Sequence, residues 1–240
     1  DNDRLYYQGD LITNYPCLVF IRGHELDLVK HFENHGVKVI NRSFTIAACR
    51  DKSITHHIVD TLGTKQPLTL LEKDRNYQDI DSLLVSPFLL KYRHGSKGDN
   101  IYLIHDEKEY LHYLSHIELD DYLVQAYLKQ TFGRDVRTLV IGDKVIGAVE
   151  RRSENNFMSN LAQGGLSFDY PMDDELIEKS LSIAKALKGD IISVDYLFSD
   201  EGLQFCEANT NAGFASFNFL GYPTRALMMN YIASLLKQST

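Results

Sequence analysis

The segment Ile191–Ser199, Asp200–Gly202 and Leu203–Asn209 constrains this chain more than any other. Two runs rich in β-branched, aromatic and other apolar residues flank a short acidic turn ending in glycine, the pattern of a β-hairpin. With Asp200, Glu201 and Gly202 as the loop and Gly202 at its positive-φ position, Ser199 would face Leu203 and Asp195 would face Glu207. Asn209 would share a face with Glu207, because strand side chains alternate with period two. Asp195, Glu207 and Asn209 would then converge as oxygen donors, two of them anionic, on an otherwise apolar sheet. That donor set suits a hard cation such as Mg²⁺. The plainer reading is a solvated acidic face, so the trio needs support from the rest of the chain.

With 240 residues and 44% hydrophobic content, the chain can bury a core large enough for one large domain or two smaller ones. The composition is that of a soluble globular protein. Its 25 Lys and Arg against 33 Asp and Glu give a net charge of −8, which opposes general adhesion to nucleic acid or to an anionic membrane. Cys17, Cys49 and Cys206 are odd in number, far apart and without CxxC spacing, so neither a disulfide framework nor a zinc site is expected, and a reducing cytoplasm fits. No apolar run reaches the ~20 residues of a membrane span, and no charged-then-apolar leader precedes the first strand. The chain opens at Asp1 rather than at a methionine, as a trimmed or partial version of a longer protein would.

Cys17–Arg22 reads as a strand, Glu25–His35 as a helix stopped by Gly36, and Val37–Ile40 as a second strand, the tail of an α/β unit. Helical patterns follow over Ile46–Cys49 and Ser53–Leu62, then an extended segment from Pro67, and Tyr77–Ser86 reads as a polar loop. Strand Phe88–Lys91, strand Ile101–Ile104, helix Asp106–His116 with Asp106 as N-cap, and strand Tyr122–Leu128 form a small lid-like subdomain at about residues 85–124. Val136–Ile141 and Lys144–Glu150 flank Gly142–Asp143 as an antiparallel hairpin, Asp173–Leu187 is a long amphipathic helix, and Pro223–Leu236 closes the chain as a helix.

Two further segments carry chemistry. In Lys91–Gly98 a lysine ends a strand just before the turn Gly95–Ser96–Lys97–Gly98, whose backbone N–H groups could cover phosphate oxygens while the lysine supplies a fixed charge. An ordinary basic hairpin turn is the competing reading, and neither GxxxxGK[ST] nor GxGxxG occurs. Arg151 and Arg152 end a strand before a polar loop that includes Ser159 and Asn160 and closes on Gly164–Gly165, a set able to clamp a phosphate or carboxylate. Asp135 and Arg137 alternate on one strand face, for which a salt bridge is the simplest reading. The nine histidines form no HExxH pattern, and Ser96 lies in no GxSxG elbow.

Taken in order, these segments resemble the ATP-grasp ligases, and among them the ribosomal-protein glutamate ligase (RimK) type and the related lysine-biosynthesis ligases. The matching pieces are Ala48–Lys52, Leu90–Gly98, Val124–Leu128, Gly133–Ile146, Glu150–Gly165 and Val194–Asn209, in the family's order. The resemblance implies an α+β ATP-grasp fold, two subdomains clasping ATP over residues 48–240, preceded by the end of an α/β domain at residues 1–47. It makes Lys52 and Lys91 phosphate-binding lysines, with Ser96 in the glycine–serine turn. The hinge reading adenine is the backbone at Gln125, Tyr127 and Leu128. Asp135 holds the ribose. Arg151, Arg152 and Asn160 face the transferred phosphoryl group, with Ser159 beside them, and Asp195, Glu207 and Asn209 hold two Mg²⁺ or Mn²⁺ ions.

The chain also departs from the family. Ala126 stands where the RimK type often has an acidic residue, Asn100 where a further glycine often closes the loop, and Met158 where an arginine usually precedes Ser–Asn. Met158 bears on transfer of the RimK substrate to this chain. The activity implied is ATP-dependent joining of a carboxylate to an amine or amino acid such as glutamate, on a small molecule or a peptide terminus, through an acyl phosphate. A phosphotransferase acting on a hydroxyl and a non-catalytic nucleotide-binding module remain the alternatives.

Overall fold

The computed structural model describes residues 4–70, 76–95, 100–153 and 166–237. In chain order the elements begin with a short hairpin, β1 (Tyr6–Tyr7) and β2 (Asp10–Leu11), then β3 (Leu18–Phe20), α1 (Leu26–Asn34) and β4 (Lys38–Ile40). Next come α2 (Ser43–Arg50), α3 (Lys52–Asp60), β5 (Thr69–Leu70), α4 (Tyr77–Leu84), β6 (Phe88–Tyr92), β7 (Ile101–Ile104), α5 (Glu107–Leu114) and β8 (Tyr122–Ala126). The remainder is β9 (Arg134–Ile141), β10 (Lys144–Arg152), β11 (Leu166–Asp169), α6 (Asp174–Ala186), β12 (Ile191–Ser199), β13 (Gly202–Asn209), α7 (Ala215–Phe219) and α8 (Thr224–Lys237).

Strands β3 and β4 pair in parallel with α1 as the crossover between them. The two larger sheets are antiparallel throughout, one ordered β5-β8-β6-β7 and the other β11-β10-β9-β12-β13. This is the expected α+β class. No helix among the described residues is long and apolar enough to cross a membrane.

The four-stranded sheet has one face packed into its own core. Phe88, Leu90 and Val124 join Ile80 and Leu84 of α4 and Tyr110 of α5 in a single cluster. Alternation sends Leu89, Lys91, Leu123 and Gln125 to the opposite face, where all of them are nevertheless buried. That second face looks toward α3 and β13. The sheet also takes in β5 and α4, so it begins earlier than residue 85. Tyr77–Leu84 is helical rather than a polar loop, because Asn76 caps it by accepting from Asp79 N and its Ile80 and Leu84 lie on the buried stripe.

The five-stranded sheet divides its labour between faces. Val136, Val140, Ala148, Ile192, Val194 and Tyr196 pack beneath α6 through Leu176, Ile183 and Leu187. On the other face Leu139, Ile141, Val149 and Ile191 are covered by Phe217 of α7 and by Ile232 and Leu235 of α8. Farther along that same face the residues turn charged: Arg137 and Asp135 on β9, Arg151 on β10 and Asp195 on β12. Asn41, just after β4, ties the parallel pair to this sheet. Its Oδ1 accepts from Asp190 N (2.8 Å) and Ile191 N (3.0 Å), and its Nδ2 donates to the Ile191 carbonyl at 2.7 Å.

Candidate nucleotide and metal site

The β12–β13 hairpin places Asp195 opposite Glu207, by a different route from the regular three-residue loop expected. Ser199 pairs with Gly202 and Phe198 with Leu203, a tighter turn, and the register then shifts between Asp195 and Tyr196. Tyr196 faces Phe205 while Asp195 faces Glu207, which leaves Cys206 as the extra residue of a β-bulge. The bulge restores the pairing that the tighter turn would have lost.

Asp195 is almost wholly buried and accepts hydrogen bonds from two guanidinium groups. Arg137 donates from Nε at 2.6 Å and from Nη2 at 2.5 Å, and Arg151 Nη2 donates at 3.0 Å. Arg151 also pairs with Asp135 through both Nε (2.7 Å) and Nη2. Asp135 and Arg137 therefore bond to different partners rather than to each other. Burial opposes the Asp195 anion, but Arg137 and Arg151 outweigh it and hold the carboxyl below the usual carboxylate range. Burial likewise disfavours the Arg151 cation, and Asp195 and Asp135 reverse that and keep it protonated more firmly than an ordinary arginine.

Glu207 and Asn209 open the cluster toward solvent. Asn209 Nδ2 donates to Glu207 Oε1 at 3.0 Å, which leaves the Asn209 carbonyl oxygen free to serve as a ligand. Among the described residues no three His, Cys, Asp or Glu side chains form a ready metal cluster. The candidate set has two carboxylates and an amide carbonyl, oxygen donors suited to a hard cation.

The cations stand across from these carboxylates. Asp51 caps α3 by accepting from Ser53 N, and its carboxylate is held by Arg93 Nη2 at 2.6 Å just beyond β6. Lys52, the first residue of α3, donates from its backbone N to the Arg93 carbonyl at 3.1 Å. These contacts fix the start of α3 against the end of β6. Lys52 Nζ donates to the Gly95 carbonyl at 2.5 Å and lies 3.9 Å from Glu207 Oε2. Lys91 is only 6% exposed, yet its ammonium has no hydrogen-bond or ion-pair partner among the described residues. A buried cation without a partner fits an anionic ligand better than it fits a structural role.

Gln125, from the expected hinge, lies on the same sheet face as Lys91 and is 0% exposed. Tyr127 and Leu128 follow directly after β8, at the exit from that strand. Arg152 is not brought into the cluster. It points to the other face of β10, pairs with Glu150 at 2.8 Å and stacks on Phe168. Ser96, Ser159 and Asn160 lie outside the described residues.

Two contributors escaped the reading of the sequence. Arg137 is the main partner of Asp195, which follows only once β9 is known to lie beside β12. His56 sits one helical turn after Lys52 on the buried face of α3, between Gln66 and Gln125. The visible signal was that i, i+4 spacing of a lysine and a histidine.

The RimK-like ATP-grasp domain family matches residues 49–232. Beta-citrylglutamate synthase B of Homo sapiens is 30% identical over 249 residues, covering 97% of this chain and 64% of the human protein. The chain thus spans just under two thirds of that relative's length. Ribosomal protein bS6–L-glutamate ligase of Escherichia fergusonii is 28% identical over 224 residues, covering 87% of this chain and 73% of the relative. The D-alanine–D-alanine ligase of Bacillus anthracis complexed with ATP superposes with a TM-score of 0.68 at 19% identity, over 89% of this chain and 76% of that one. With the matched domain extending over both large sheets and every element that carries the cluster, the chain belongs to the RimK-like ATP-grasp family.

Proposed function

We propose that the protein is an ADP-forming carboxylate–amine ligase: ATP phosphorylates a carboxylate, and an amine displaces phosphate from the acyl phosphate to give an amide. The observation that carries this reading is a buried lysine, Lys91, without a hydrogen-bond or ion-pair partner among the described residues, together with an oxygen-donor set at Asp195, Glu207 and Asn209. Phosphoryl transfer needs alignment and charge neutralisation more than a general base. That fits a site built around Lys52, Lys91, Arg151 and the carboxylates of Asp195 and Glu207.

In this reading Lys52 and Lys91 bind and orient phosphate oxygens, and the backbone from Gln125 to Leu128 lines the base. Asp135 holds the ribose, and Asp195, Glu207 and Asn209 hold two divalent ions. Mg²⁺ or Mn²⁺ bound there would neutralise charge on the phosphoryl group in flight. Arg151 lies beside Asp195 and would stabilise the oxyanion at the acyl carbon in the second step. Asn160 and Ser159 belong to the reading by family resemblance alone, and Arg152 is left out of it. Residues 1–47 are read as the end of a preceding α/β domain, residues 48–240 as the ATP-grasp domain, and the cytoplasm as its compartment. Relatives named for glutamate products make an amino acid such as glutamate the leading amine, on a small molecule or a peptide terminus.

Hydroxylamine trapping tests the reaction. An acyl phosphate is attacked by hydroxylamine to give a hydroxamate and phosphate, so ATP, Mg²⁺, hydroxylamine and a panel of carboxylic acids should yield hydroxamate with stoichiometric ADP for the accepted acid. ADP released with a phosphorylated alcohol and no hydroxamate would identify a phosphotransferase instead.

A further inference from the structure

Asn209 is the last residue of β13, and from Thr210 to Phe214 the chain runs without strand or helix until α7 begins at Ala215. On its strand side Asn209 is fixed by the ladder, where it pairs with Ser193 of β12. On the other side the backbone needs separate support, because a ligand side chain is only as well aimed as the chain that carries it.

That support comes from the opposite end of the sequence. The parallel strands β3 and β4 end side by side, and Arg22 and Asn41, just beyond them, both reach this segment. Asn41 Nδ2 donates to the Thr210 carbonyl at 3.3 Å. Arg22 donates from Nε and Nη2 to Asn211 Oδ1 at 3.3 and 3.0 Å, and from Nη2 to the Ala212 carbonyl at 3.0 Å. Its guanidinium also lies over the Phe214 ring, 4.6 Å from the centroid. One planar cation therefore holds three of the five residues, a combination that suits a guanidinium and not an ammonium. The segment in turn abuts the charged cluster. Gly213 passes close enough to Arg137 that a Cβ there would stand 3.5 Å from Nη1, and Arg137 is the main partner of Asp195. A shift of this segment would move Asn209 directly and crowd or release Arg137.

We propose that Arg22 is a positioning residue for the metal-binding face: by clamping Asn211, Ala212 and Phe214 it keeps Asn209 in the orientation in which it can serve as a ligand. The proposal rests on the nucleotide and metal reading above. It makes the α/β unit at residues 1–47 a working part of the site rather than a neighbour of it.

The test is calorimetric titration of a non-hydrolysable ATP analogue at a series of Mg²⁺ concentrations from zero upward, into wild type, Arg22→Met, Asn211→Leu and the double variant Arg22→Met/Asn211→Leu. In Arg22→Met the Mg²⁺ concentration that gives half of the Mg²⁺-dependent gain in affinity should rise by about fivefold or more, as loss of hydrogen bonds from a charged donor would give. Affinity measured without Mg²⁺ should stay within about twofold of wild type in every variant, which a general loosening of the fold would not allow. Asn211 is exposed, and Asn211→Leu keeps the Ala212 bond and the ring contact, so it should shift the Mg²⁺ dependence in the same direction by less. That variant decides the matter if Arg22→Met fails to fold. The double variant should shift no further than Arg22→Met alone, because both changes act through one contact. Unchanged Mg²⁺ dependence in Arg22→Met and Asn211→Leu would overturn the proposal while leaving the nucleotide reading intact. A Mg²⁺-free affinity that falls in step with the Mg²⁺ dependence would overturn it too, reducing Arg22 to a general prop of the fold. Wild type that binds no analogue, or gains nothing from Mg²⁺, would overturn both.

Discussion

Asp195 stands opposite Glu207 across a β-bulge at Cys206; one carboxylate of the pair is buried against two arginines, and the other is partly exposed. The two groups are chemically alike and electrostatically different. Asp195 is already neutralised by Arg137 and Arg151, whereas Glu207 has Lys52 at 3.9 Å and the Asn209 amide beside it.

Glu207→Gln keeps the shape of the side chain and removes its charge. Turnover should fall by about a hundredfold or more, with nucleotide affinity changed by less than about fivefold, because charge neutralisation matters most in the transition state. Steady-state ADP release beside calorimetric binding checks it, and near-wild-type turnover would remove Glu207 from the metal set.

Lys91 separates binding from stability. Lys91→Met replaces a buried cation that has no partner among the described residues with an apolar chain of similar length, so the melting temperature should hold or rise. Affinity for an ATP analogue should drop by about tenfold or more. A lysine that merely stabilised the fold would lower both together.

Asp195→Asn breaks a buried ionic network from one side and leaves Arg137 and Arg151 underpaired. A loss of about 3 kcal/mol in urea-unfolding free energy is expected. Arg137→Met removes the main partner of Asp195 and leaves Arg151 shared between Asp195 and Asp135, so it should cost at least as much. Equal stability of wild type and Asp195→Asn would show the network to be dispensable for folding.

His56 gives stability a pH dependence. Its folded pKa of about 4 lies below its ordinary value of 6.5, so as pH falls below about 6.5 the unfolded chain takes up a proton that the folded ring refuses. Its stabilising contribution is therefore complete above that range, shrinks by at most about 1.4 kcal/mol per pH unit, and levels off below about pH 4. Urea titrations of wild type and His56→Leu between pH 7 and pH 4.5 should show the wild type losing more. Parallel curves would place His56 where it titrates freely.

Much of this was legible in short-range pattern. Helix Glu107–Leu114 with its Asp106 cap, strand Ile101–Ile104 and the hairpin at Gly142–Asp143 follow from capping, alternation and turn chemistry. The Tyr77–Leu84 helix was masked by its Gln, Asp and Ser content, although Asn76 and the spacing of Tyr77, Ile80 and Leu84 carried the signal. The short strand Leu166–Asp169 and the helix Ala215–Phe219 have too few residues to show a period. The bulge at Cys206 and the Arg137–Asp195 bond depend on neighbours far away in the chain, which a local reading of one hairpin does not contain. The same holds for Lys91: the strand and its lysine were visible, but the absence of a partner among the described residues appears only when the opposing α3 and β13 are in place.

The most direct measurement is calorimetric titration of a non-hydrolysable ATP analogue into the protein, with and without Mg²⁺, repeated on Asp195→Ala. Binding that strengthens with Mg²⁺ in the wild type and loses that dependence in the variant is the expected result. Wild-type protein that binds no analogue with or without the metal, or a variant whose Mg²⁺ dependence is unchanged, would contradict a nucleotide and metal site at Lys91, Asp195 and Glu207.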